Sequence, residues 1–205
     1  MSYPTSMTSK APINPNLITS LRLPLAPVAV AFLIWGEENM WGTIIAALLA
    51  LILELTDILD GHLARKYDCV TNFGKLYDPF SDAFCRYTLF LGLYAIGIAD
   101  LWMVLAIFYR DSSVSFMRSI AASRNVIIAA RTSGKLKAIA QGVGMQIIFL
   151  SLVLSSIPLG EGWPIQSLPW WTMFVVTVVT IISFIDYLMA NLPMLRQAWS
   201  NQTSP

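Results

Sequence analysis

The chain reads as an all-α integral membrane protein of six transmembrane helices, with a short cytosolic N-terminal arm and an active site on the cytosolic side. Hydrophobic residues fill 56% of its 205 positions and charged residues only 12%, where an ordinary soluble domain carries about 25% charged residues. Six apolar windows, 17–36, 40–62, 76–98, 101–120, 136–158 and 170–192, each approach or exceed the length of a spanning helix, which is roughly 20 residues. All 13 Lys and Arg residues lie on or near alternate boundaries of these windows, while the other connectors carry only Glu37, Glu38, Asp100 and Glu161. The basic side of such a protein faces the cytosol.

Residues 1–15 are polar, contain Pro4, Pro12 and Pro15, and lack the basic start, apolar run and cleavage site of a secretory signal. They are expected to form the cytosolic arm. The first helix opens with Asn16-Leu-Ile-Thr19-Ser-Leu-Arg22, and its window runs past Trp35; the second starts beside Trp41 and runs to 62. A polar connector over about 66–75 is short enough to make the second and third helices antiparallel neighbours. The fourth window opens at Leu101-Trp102, the fifth follows a basic stretch ending at Lys135, and the sixth opens at Trp170-Trp171. Trp35, Trp41, Trp102, Trp163, Trp170 and Trp171 all sit at window ends, where an amphipathic ring prefers the headgroup layer. Six spans return both termini to the cytosol. No repeat, linker or composition shift divides the chain, so one domain is expected over 16–195, followed by a cytosolic tail at 196–205.

A net charge of +1 argues against nucleic acid as a partner, because such binding needs dense positive charge. Cys69 and Cys85 are too few for a disulfide framework or a thiolate metal site, and are expected to be free thiols.

The chemistry lies in a carboxylate cluster at the cytosolic rim: Asp57, Asp60, Asp78 and Asp82. Ionisable groups in or beside hydrocarbon are costly unless paired, hydrated or bound to an ion. Asp57 and Asp60 are three apart at the end of the second helix and share a face that Ala64 continues; Asp78 and Asp82 are four apart at the start of the third. The four side chains are expected to converge. Oxygen-only donors of this kind suit Mg²⁺, Mn²⁺ or Ca²⁺ rather than zinc, and four mutually repelling carboxylates call for cations. Two metals shared by them would clamp a phosphate for in-line displacement. Gly61 and Ala64 leave the helix face without bulk, although small residues also serve close helix packing, and Arg65 offers a planar fork of donors for phosphate. His62, the sole histidine, points off the acid face and is given no role.

The run Asp57-x2-Asp60-Gly61-x2-Ala64-Arg65-x8-Gly74-x3-Asp78-x3-Asp82 matches the signature of the CDP-alcohol phosphotransferases (CDP-alcohol phosphatidyltransferases), and the chain resembles that family. The resemblance implies cleavage of a CDP-linked donor, commonly CDP-diacylglycerol, with release of CMP and transfer of the phosphatidyl group to a small alcohol in phospholipid biosynthesis. It implies two divalent cations, Mg²⁺ or Mn²⁺, one held by Asp57, Asp60 and Asp78 and the other by Asp57, Asp78 and Asp82, with Asp82 also the catalytic general base. Gly61, Ala64 and Arg65 would contact the nucleotide and pyrophosphate, Thr71 the CDP group, and Asn16 and Thr19 resemble the family's polar pair at the start of the first helix. Relatives form homodimers, and Phe84, Tyr87 and Phe90 are candidates for such a face.

A second basic group, Arg110-Asp111, Arg118, Arg131 and Gly134-Lys135, suits an acceptor that itself carries phosphate; a positive-inside or lipid-headgroup face accounts for the same residues, and for Arg124 and Lys137 more readily. The pattern is similar to the phosphatidylglycerophosphate synthase subfamily, apart from Asp111 where that subfamily usually has glutamate. The expected acceptor is therefore sn-glycerol 3-phosphate, with inositol phosphate, serine or another phosphatidyl acceptor as alternatives. The membrane would be the cell (inner) membrane if the protein is bacterial. A divalent-cation transporter is the alternative of another class; it requires acids through the membrane depth, where only Glu54 and Asp186 lie.

Overall fold

A computed structural model describes residues 15–66, 72–123, 131–157 and 164–200, and within them the side chains other than those of 15–19, 60–66, 72–76, 78–79, 122–123, 164–165 and 194–200. Its elements are α1 (Pro15–Trp35), α2 (Met40–Lys66), α3 (Asn72–Ala95), α4 (Leu101–Ser123), α5 (Thr132–Ser155) and α6 (Leu168–Ser200), with a one-turn 3-10 helix, Pro164–Ser167, ahead of α6. Each apolar window coincides with a helix. The helices also overrun the windows: α3 begins at Asn72, and α6 continues to Ser200, so the first residues of the expected tail are helical. Hydropathy registers only the apolar stretch of a helix, whereas backbone hydrogen bonding carries on through polar turns.

Among the described residues three segments, Met40–Leu59, Thr132–Ser155 and Leu168–Pro193, are long and apolar enough to cross a membrane, and Ser20–Trp35 is a shorter apolar helix. The charges that interrupt α3 and α4, among them Asp82, Arg86, Arg110, Asp111 and Arg118, include residues singled out above for chemistry. The chain divides into two compact units, Met1–Gly92 and Leu93–Pro205.

In the first unit, α1 and α2 pack along one another through Ala26, Ala29 and Leu33 from α1 and Ala46, Ala50 and Leu53 from α2, all buried. Small side chains one turn apart let the two backbones approach closely. At the connecting turn a Cβ on Gly36 would lie 2.6 Å from the Thr43 nitrogen, so glycine is required there. The Thr43 hydroxyl donates to the Gly36 carbonyl at 3.1 Å, and the Asn39 side chain accepts from the Trp41 N–H at 3.0 Å, capping the start of α2. Pro24 and Pro27 lie inside α1. On α3, Ser81, Cys85 and Leu89 are buried, Gly92 packs against Val30 of α1, and the Cys85 thiol reaches the Arg22 carbonyl at 3.4 Å. Cys85 is a free thiol; Cys69 lies outside the described residues.

In the second unit, α6 packs against both α4 and α5. The buried stripe of α4 is Met103, Ile107, Arg110, Val114, Met117 and Ala121, a three-and-four spacing that keeps one helix face inward. The facing stripes run through Lys137, Gln141, Met145 and Ile148 on α5, and Met173, Thr177, Thr180, Ser183 and Tyr187 on α6. A Cβ on Gly144 would run into Val176, so α5 and α6 touch closely there. Polar residues interrupt each stripe: Arg110 midway along α4, Lys137 and Gln141 at the start of α5, and Thr177, Thr180 and Ser183 along α6. Trp102, Trp170, Trp171 and Phe174 form an aromatic group, with the Trp170 N–H donating to Asp100 at 3.1 Å.

Candidate active site

The buried face of α2, at Ala46, Ala50 and Leu53, is continued one turn later by Asp57, which is why this carboxylate meets α1. Arg22 of α1, with a side chain only 3% exposed, binds Asp57 Oδ1 through Nη1 at 2.9 Å and lies 3.6 Å from Asp82 Oδ1 through Nη2. Arg86, one turn beyond Asp82 on α3, donates from Nε to Asp82 Oδ1 at 2.9 Å, and its Nη2 is 3.8 Å from both Asp57 and Glu54. Asp57 and Asp82, from different helices and 25 positions apart in sequence, thus share one pair of guanidinium groups.

The side chains of Asp60, Gly61, His62, Ala64, Arg65, Gly74 and Asp78, together with those of Asn16 and Thr19, lie outside the described set, as does Thr71 entirely. Among the described residues no group of three or more His, Cys, Asp or Glu is placed to hold a metal. The chemistry of what is described fits a hard cation: carboxylate oxygens from two helices converge, and the positive charge they demand is met here by Arg22 and Arg86. These two arginines read in the sequence only as positive-inside charges. The available signal was spacing, since Arg86 follows Asp82 by four and Arg22 lies on the helix that opens with Asn16 and Thr19.

In the second unit the acceptor candidates form a polar network. Arg110 donates from Nη1 to Asp111 at 2.7 Å and from Nη2 to the Ser183 hydroxyl at 2.9 Å. Its Nε is buried without a hydrogen-bond partner. Lys137, expected on a headgroup face, is instead buried and donates to the other oxygen of Asp111 at 2.6 Å. It lies on the inward stripe of α5, one turn before Gln141, and its amphipathic stem allows this placement. Arg118 reaches the Tyr187 hydroxyl at 3.3 Å. Arg131 grips Asp186 with Nε and Nη2, both at 2.8 Å, and the Ser133 hydroxyl donates to the same carboxylate at 2.5 Å. The hydrogen bond to Asp186 raises the pKa of the Arg131 guanidinium above its ordinary value. Lys135 is exposed. Gly134 leaves space beside Arg110, a Cβ there lying 3.8 Å from Nη2.

Residues 12–182 match the sequence model of the CDP-alcohol phosphatidyltransferase family. The CDP-diacylglycerol-glycerol-3-phosphate 3-phosphatidyltransferase of Bacillus subtilis strain 168 is 30% identical over 193 residues, covering 89% of this chain and 96% of its own. The protein of the same name from Mycoplasma genitalium is 35% identical over 152 residues, 70% of this chain and 62% of that one. Among solved structures, the apo form of Mycobacterium tuberculosis phosphatidylinositol phosphate synthase aligns with a TM-score of 0.58 at 18% identity, over 87% of this chain and 90% of that one. That likeness is one of fold.

Proposed function

The chain belongs to the CDP-alcohol phosphatidyltransferase family, and from that premise we propose that it transfers the phosphatidyl group of CDP-diacylglycerol to sn-glycerol 3-phosphate, releasing CMP, as a step of phospholipid biosynthesis. The observation that carries the reading is the uninterrupted acid motif from Asp57 to Asp82, whose first and last carboxylates meet the same two guanidinium groups. The names of the relatives support glycerol 3-phosphate as acceptor, and the cations of the second unit, of which Arg110 is buried, suit its phosphate.

In this reading Asp57, Asp60 and Asp78 hold one divalent cation and Asp57, Asp78 and Asp82 a second. Mg²⁺ or Mn²⁺ bound there supplies neutralisation of the pyrophosphate charge. Asp82 accepts the proton of the acceptor hydroxyl. The acceptor oxygen attacks the phosphatidyl phosphorus, the bond to the CMP oxygen breaks, and CMP leaves with the bonding electron pair. Gly61, Ala64 and Arg65 hold the nucleotide and pyrophosphate, helped by Asn16, Thr19 and Thr71. Arg110, Arg118, Arg131 and Lys135 hold the acceptor phosphate. The six helices form one domain over 16–195 that spans the bilayer six times, with both termini cytosolic and the protein a homodimer.

The test is CMP release by purified full-length protein in nanodiscs with CDP-diacylglycerol, Mg²⁺ or Mn²⁺, and glycerol 3-phosphate, inositol phosphate or serine, the lipid product being identified by mass. Phosphatidylglycerophosphate is the expected product. No CMP with any acceptor removes the enzyme reading, and preference for another alcohol removes the acceptor.

A further inference from the structure

One turn of α6 carries a partner for each of three arginines in the second unit. Ser183 accepts from Arg110 Nη2 at 2.9 Å, Asp186 accepts from Nε and Nη2 of Arg131 at 2.8 Å, and the Tyr187 hydroxyl accepts from Arg118 Nε at 3.3 Å. The Arg118 guanidinium also lies 5.9 Å from the centre of the Tyr187 ring, within cation–π reach. Positions 183, 186 and 187 are three and four apart, so they share one face of the helix. The arginines they hold come from separate places, two on α4 and one just ahead of α5. Nothing in the sequence motif named these three α6 residues.

Their chemistry is that of a holder. Ser183 and Tyr187 are each only 1% exposed, and Asp186 is a carboxylate inside an otherwise apolar segment, a position that is costly without a function or a partner. Within this hydrogen-bonded network Arg110, Arg118, Arg131 and Lys137 face two carboxylates, Asp111 and Asp186. Two positive charges are left over, the complement of a phosphate monoester near neutral pH. The buried Arg110 Nε remains as an unmet donor. An arginine side chain loses much rotamer freedom on being fixed, so arginines already held bind an anion with less ordering.

We propose that the Ser183–Tyr187 turn is the positioning element of the acceptor site, with Asp186 and Tyr187 as its principal residues, and that it makes the site select an alcohol bearing a phosphate over an uncharged one. The inference rests on the phosphorylated acceptor proposed above. Asp186 and Tyr187 are positioning residues: they act through Arg131 and Arg118 and do not touch the substrate.

The test titrates glycerol 3-phosphate at saturating CDP-diacylglycerol in the full-length wild type and in D186N, D186E and Y187F, with CMP release as readout. D186N is expected to raise the KM for glycerol 3-phosphate about tenfold, the scale of one lost charged hydrogen bond, while kcat and the KM for CDP-diacylglycerol stay within about twofold on the same scale. Y187F should raise the same KM less, because its ring remains, and D186E should recover most of the D186N loss. An unchanged KM for glycerol 3-phosphate in both D186N and Y187F, with the wild type active on that acceptor, overturns this inference alone. Turnover by the wild type only on an acceptor without phosphate overturns the acceptor reading and the inference together. If CMP release fails altogether, or D186N is poorly folded, the rise in melting temperature produced by glycerol 3-phosphate decides: present in wild type and reduced in Y187F supports the turn, and equal in both overturns it.

Discussion

Arg22 of α1 and Asp57 of α2 are joined at 2.9 Å, and the same guanidinium lies 3.6 Å from Asp82 of α3. One buried cation therefore ties together three helices and the two ends of the acid motif. A charge placed this way has two consequences, one for stability and one for what binds the carboxylates.

Replacing Arg22 with Leu leaves Asp57 beside Arg86 alone, and breaking such a buried pair from one side is expected to lower stability by about 2–3 kcal/mol. Melting of the purified variant checks this. A divalent cation on the same carboxylates should restore part of the loss, so Mn²⁺ should raise the melting temperature of Arg22→Leu more than that of the wild type; equal shifts would sink the idea.

Asp82→Asn should cut CMP release by at least about 100-fold, the scale of a lost general base, with little change in melting temperature because Arg86 can still donate to the amide oxygen. Chelation of divalent cations should likewise stop turnover of the wild type, and added Mg²⁺ or Mn²⁺ should restore it. Turnover that survives exhaustive chelation would remove the cations from the reaction.

Lys137→Met removes a buried ammonium from Asp111, with a predicted cost of about 3 kcal/mol. Combining it with Asp111→Leu should cost less than the sum of the single changes, because each single change strands a charge. Additive melting shifts would show that the 2.6 Å contact contributes no coupling.

Gly36→Ala places a methyl group where the Thr43 backbone nitrogen lies 2.6 Å away. Overpacking of this kind costs about 1–3 kcal/mol, so the melting temperature should fall. Gly134→Ala, with 3.8 Å to Arg110 Nη2, should leave it nearly unchanged.

The helices were legible in the sequence because apolar length and tryptophan placement respond to the same bilayer, and all six windows fall on α-helices. Their ends were not, since polar turns at Asn72 and beyond Pro193 leave no hydropathy signal. The acid motif was legible because spacing of three and four maps directly onto a helix face. Arg22 and Arg86 were read as ordinary positive-inside charges, because a topology rule explains any cytosolic arginine and cannot tell a free one from one held by Asp57.

The sequence by itself determined an all-helical apolar chain and, through residues at fixed spacing on two helices, the family to which it belongs. These are local properties: helix periodicity and apolar length depend on near neighbours in the chain. Only the tertiary structure decided which charges meet. It turned Lys137 inward to Asp111, gave Arg22 both Asp57 and Asp82, and set Ser183, Asp186 and Tyr187 against three arginines 55 to 73 positions away. Contacts at that separation follow from how buried stripes on different helices come into register, and the energy of packing each stripe is shared among side chains that no single segment of sequence contains.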